Sequence, residues 1–94
     1  MIVKVSELCV NSRKHTIKEL RLLFRSNVDE RISGYVLNMM SEREMRRLIA
    51  MAIYDRAVTH KNRQMAMGRI AGYLCISVSS IEKWCPAKKK RPLD

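Results

Sequence analysis

Cys9, His15, His60, Cys75 and Cys85 are the side chains of this 94-residue chain that could ligate a soft divalent ion such as zinc. Zinc sites usually draw ligands from close pairs such as Cys-x-x-Cys. No such pair exists here, and the spacings fit no common finger. No metal and no cofactor are expected. The 3 cysteines are an odd number, so no disulfide framework is expected either. They read as small apolar residues in a reducing compartment. Nucleophile–base candidates are few. There is no glycine-rich phosphate loop and no carboxylate pair flanked by apolar sequence. An enzyme is not expected.

The chemistry that remains is charge. Lys plus Arg number 19 and Asp plus Glu 9, a formal net charge of +10. Residues 1–40 carry 7 basic and 4 acidic side chains, residues 41–60 carry 4 and 3, and residues 61–94 carry 8 and 2. More than half of the excess therefore lies in the last third. Such a surface favours polyanions, nucleic acid or an anionic membrane. With 47% hydrophobic residues the chain can still build a core, so it is not a disordered basic tail. No apolar run approaches the ~18 residues that span a bilayer, and Met1 to Val5 does not read as a secretory signal.

The elements that would carry this charge are helices. Gly is 3 and Pro is 2, with both prolines near the C-terminal end, so turn punctuation is sparse. Thr16-Ile17-Lys18-Glu19 fits a capping box, followed by Ile17, Leu20, Leu23 and Phe24 at helical spacing. Asn27-Val28-Asp29-Glu30 reads as a second helix start, with Ile32, Tyr35, Val36, Met39 and Met40 after it. Ser41-Glu42-Arg43-Glu44 is a third start and the best of the boxes. Met45, Leu48, Ile49, Ala52, Ile53 and Ala57 then give one apolar face, with Arg43, Arg46, Arg47, Asp55 and Arg56 mostly opposite. His60 to Arg63 reads as a polar connection. Apolar spacing resumes at Met67, Ile70, Ala71 and Leu74, breaks at Cys75-Ile76-Ser77, and returns from Val78 to Cys85, where Pro86 ends it. The 7 methionines read mostly as core or dimer-interface filler. The expected fold is all-α: four or five short helices, with a short strand possible in the first five residues. Residues 1–86 are expected to form one domain, with 1–40 as its dimerisation part and 41–86 as its helix-turn-helix part, and 87–94 a basic disordered tail.

Met67 to Trp84 is the informative stretch. Ile70 and Ala71 supply the first helix's contact, Leu74 and Ile76 flank the turn, and Ile81 and Trp84 share one face of the second helix. Val78, Ser79, Glu82 and Lys83 are left pointing outward. A helix-turn-helix uses this arrangement to place its second helix in a major groove.

The run Ile70-Ala71-Gly72-Tyr73-Leu74-Cys75-Ile76-Ser77-Val78-Ser79-Ser80-Ile81-Glu82-Lys83-Trp84 resembles the helix-turn-helix of small bacterial and phage regulators. It is most similar to the CII-like modules of lambda-type phages. The long capped helix before it, Ser41 to Thr59, is similar to the Trp-repressor arrangement in architecture only. The family usually has glycine at the turn, where φ is positive. This chain has Cys75, at a cost of roughly 1 kcal/mol. Gly68 and Gly72 lie inside the first helix instead, each costing about 1 kcal/mol against alanine. Close packing against the helix that begins at Ser41 would account for them.

The resemblance implies a sequence-specific regulator of bacterial, plasmid or phage type that binds duplex DNA through residues 67–85. Ser77 would cap the recognition helix. Val78 and Ser79 would meet a thymine methyl and a base edge, Glu82 a cytosine amino group, and Lys83 guanine or phosphate. Arg63, Gln64 and Arg69 are phosphate candidates on the first helix. Lys88, Lys89, Lys90 and Arg91 would follow the backbone or enter the minor groove. A Lys/Arg run of this kind also has the form of a nuclear-import signal, which ranks lower beside the phage-like motif. A homodimer on a two-part site is expected, in the cytoplasm and associated with the nucleoid. The alternatives are an accessory protein that docks DNA for packaging, partitioning or transfer, and a modulator that binds RNA polymerase or a larger regulator.

Overall fold

Residues 14–59 and 61–86 are described by a computed structural model, and they are all-helical: α1 Ile17–Asn27, α2 Gly34–Met39, α3 Glu42–Ala57, α4 Arg63–Leu74 and α5 Val78–Trp84. The strand considered for residues 1–5 and the tail at 87–94 lie outside the described residues.

Each helix starts where a side chain satisfies its free N–H groups, with α4 the exception. The Thr16 hydroxyl accepts from the Glu19 amide at 3.3 Å, and the Glu19 carboxylate accepts from the Thr16 amide at 3.1 Å, so the first box is complete. Ser41 caps α3 through the Glu44 amide at 3.1 Å. The second half of that box does not form. The Glu44 carboxylate lies 3.7 Å from Arg47, and Glu42 takes Arg46 at 3.2 Å, so the acids of the first turn serve i+3 and i+4 pairs instead.

Asn27 does not start a helix. It closes α1, buried, with its side-chain amide donating to the Leu23 carbonyl at 2.9 Å. Arg56, near the end of α3, donates to the Asn27 backbone carbonyl at 3.1 Å and also to its side-chain oxygen. The chain then turns through Asp29, whose carboxylate accepts from the Arg31 amide at 3.0 Å, and Arg25 holds the Ile32 carbonyl at 2.8 Å. The second helix starts only at Ser33, which caps it through the Val36 amide at 3.2 Å.

The core is centred on α3, which packs against α1, α4 and α5. Of the expected face, Met45, Ile49 and Ile53 are fully buried but Leu48, Ala52 and Ala57 only half-buried, and Ala50 and Tyr54 are buried as well. A helix contacted from several sides needs a wider apolar arc than a surface helix. Leu20, Leu23 and Phe24 of α1 meet it on one side, and Ala66, Met67, Ile70, Ala71 and Leu74 of α4 on another.

Asn62 joins α3 to α4. Its side chain accepts from the Thr59 amide and donates to the Ala57 carbonyl at 3.1 Å. Turned back toward α3, it makes no side-chain cap to α4. Helix α4 therefore begins at Arg63, within the stretch expected as a connection.

The two glycines of α4 do not serve close packing. A Cβ built at Gly68 or Gly72 would meet nothing within 4 Å.

Candidate nucleic-acid interface

Helices α4 and α5 are joined by three residues, Cys75-Ile76-Ser77, and pack on each other and on α3. Cys75 is left-handed, with φ 54° and ψ 47°, the sole non-glycine residue with positive φ among those described. This geometry lets both the Cys75 and the Ile76 amides donate to the Ala71 carbonyl, the latter at 3.0 Å. Ser77 then caps α5, its hydroxyl accepting from the Ser80 amide at 3.2 Å. The Ser80 hydroxyl lies 2.9 Å from that of Ser77, and the Ser79 hydroxyl donates to it at 3.3 Å. The start of α5 is thus a cluster of three hydroxyls.

Ile81 is fully buried and anchors α5, with Trp84 half-buried behind it against the core. At about 100° per residue, Val78, Ser79, Glu82 and Lys83 occupy the other side of the helix. All four are exposed. Ile70, Ala71 and Leu74 are buried, and Ile76 is half-buried against the core. The residues expected to build the motif and those expected to face outward are therefore on the expected sides.

The phosphate candidates divide. Arg63 and Gln64 line a groove of about 790 Å³ between the end of α3, the start of α4 and the end of α5. Arg63 is half-buried there, and its Nε donates to the Tyr54 hydroxyl at 2.9 Å. Gln64 is exposed. Arg69 is half-buried and does not reach this groove. Lys88, Lys89, Lys90 and Arg91 lie outside the described residues.

Sequence reasoning missed two features. Lys61 joins Arg63 and Gln64 at the groove, adding a second cation. A smaller cleft of about 320 Å³, also lined by Trp84, is bordered by Arg43, Glu44 and Arg47 of α3. These arginines are one turn apart, so their shared face was visible in the sequence. That the end of α5 lies beside them depends on packing between helices.

The groove also holds Cys85 and Asp55. Burial pushes the Cys85 thiol up to about 11, with Asp55 adding to the rise and Arg63 opposing it. At neutral pH this thiol is protonated, the form that is a weak nucleophile and a weak ligand. Among the described residues, no group of three or more His, Cys, Asp or Glu is placed to hold a metal ion. No helix among them is long and apolar enough to cross a membrane. Comparison with known proteins finds no family model, curated protein or solved structure that matches this chain.

Proposed function

We propose that this chain is a sequence-specific regulator of transcription, of bacterial, plasmid or phage type, which reads duplex DNA with α5. The observation that carries the reading is the outer side of α5. Val78, Ser79, Glu82 and Lys83 are exposed together on a helix held from behind by Ile81, in a chain of net charge +10. Lys83 and Glu82 make no ion pair or hydrogen bond among the described residues, so both are free to meet base edges. Lys61 and Arg63 in the groove, with the amide of Gln64 beside them, and Arg43 and Arg47 in the smaller cleft that Trp84 also lines, supply cations for the flanking phosphates. Two copies on a two-part site would provide the groove contact that one seven-residue helix lacks.

The test is a salt titration of the full chain on a duplex selected from a random pool and on random duplex. Binding to both falls steeply with salt, as counterion release requires. Lys83→Ala is expected to weaken the selected site by about 10-fold or more, and random duplex much less. Lys89→Ala is expected to weaken both alike. If neither substitution changes binding, the reading fails, and a modulator that binds another protein takes its place.

A further inference from the structure

Ile32 to Ser41 is a run of ten residues without a charged side chain, in a chain of which 30% is charged. A longer uncharged run, Ile70 to Ile81, is explained by the core, since Ile70, Ala71, Leu74 and Ile81 are buried. The first run lacks that explanation. Only Leu37 is buried in it, with Ile32 and Met40 partly buried against the core. Tyr35, Val36 and Met39 of α2 are 75%, 47% and 72% exposed. Tyr35 and Met39 are one helical turn apart, with Val36 beside them and Leu37 on the opposite side. A surface helix ordinarily turns its polar residues to water. Leu22 of α1, 66% exposed, lies one turn before Arg25, the residue that holds Ile32.

We propose that this face seats a second copy of the chain, α2 packing against its counterpart across a two-fold axis. The proposal rests on the paired-site reading above and names the surface that makes the pair. Charge selects the occupant. Two molecules of net charge +10 repel wherever their cationic surfaces meet. Residues 29–45 hold only two basic side chains, Arg31 and Arg43, against the acidic Asp29, Glu30, Glu42 and Glu44. This stretch is therefore net negative within a strongly basic chain, so two copies that meet across it oppose fewer cations than they would across the cationic last third. The surface it requires opposite is neutral and apolar, which is what it presents itself, and a two-fold axis brings one patch onto itself. The arrangement leaves α5 and the cationic last third free for DNA.

Sedimentation equilibrium of the full chain without DNA tests this. The native chain is expected to show a concentration-dependent dimer. Tyr35→Glu and Met39→Glu are each expected to raise the dimer dissociation constant by at least ~30-fold, as central interface residues do. Both side chains are exposed, so helicity by circular dichroism should not change. Lys83→Ala should dimerise like the native chain. A native chain that stays monomeric to about 100 µM overturns the proposal, whether residues 1–13 or a different protein then covers the face. So does a Tyr35→Glu variant that dimerises normally. Duplex binding is scored separately by anisotropy. A normal dimer that binds no DNA sinks only the functional reading, and a monomer that binds DNA sinks only this one.

Discussion

Cys75 and Cys85 are ten positions apart in sequence and opposite in circumstance. Cys75 is exposed in a left-handed conformation, where a Cβ costs roughly 1 kcal/mol. Cys75→Gly should remove that strain and raise stability by up to about 1 kcal/mol, less whatever the glycine adds to the entropy of the unfolded chain. The midpoint of urea unfolding measures it, and a lower midpoint would contradict the left-handed turn. Cys85 is buried, and its thiol is raised from 9.0 to about 11. The folded chain therefore keeps this proton after the unfolded chain has lost it. Its contribution is fully present below pH 9.0 and is lost as pH rises toward about 11. Cys85→Ala should lose less stability than the native chain between about pH 8 and about pH 10.5, the difference isolating this thiol from the lysines and tyrosines that titrate in the same range. Alkylation at pH 8 followed by peptide mapping should label Cys75 well before Cys85.

Among the helices, α4 has the clearest unused stability. Gly68 is exposed in the helix and Gly72 half-buried, and a methyl group at either would meet open space. Gly68→Ala and Gly72→Ala should each stabilise the fold by about 1 kcal/mol, read from thermal or urea unfolding. A loss at either position would mean that another surface approaches the backbone there. The same helix shows what sequence can and cannot reveal. Thr16, Ser41 and Ser77 were legible as caps because a cap bonds only within its own first turn. The buried rows of α1, α3 and α4 were legible because helical spacing repeats every turn. Cys75 was legible as the strained turn only through the resemblance, whose family usually has glycine at that position. Asn27 was misread because what holds it, Arg56, is 29 residues away. Gly68 and Gly72 were misread because the neighbours that would justify them had to come from another helix. The candidate interface divides in the same way. The outer side of α5 follows from the spacing of Ile81 and Trp84, whereas the cleft that Trp84 shares with Arg43 and Arg47 exists only after α5 has packed on α3.

At the scale of the whole chain, the question is whether α1 belongs to the same cooperative unit as the α3–α4–α5 part. Leu20, Leu23 and Phe24 share one buried cluster with Ile49, Ile70 and Ile81, so apolar contact runs without a break from α1 to α5. The polar tie is Arg56, which reaches from the end of α3 to both the backbone carbonyl and the side chain of Asn27. Arg56 is exposed as a residue while Asn27 is buried, so the guanidinium supplies to a buried amide what water does not reach. Arg56→Ala should cost about 1–3 kcal/mol, the range for leaving a buried polar group short of a partner. The form of the transition is as informative as its midpoint. One continuous core predicts that tyrosine and tryptophan fluorescence and far-ultraviolet circular dichroism report the same urea transition in the native chain and in Arg56→Ala. Trp84 reports on α5 and the dichroism on all five helices, so a dichroism change that precedes the tryptophan change would show α1 and α2 coming away first. That result would divide the chain into an α1–α2 part and an α3–α5 part that fold separately, with Arg56 as the bond between them.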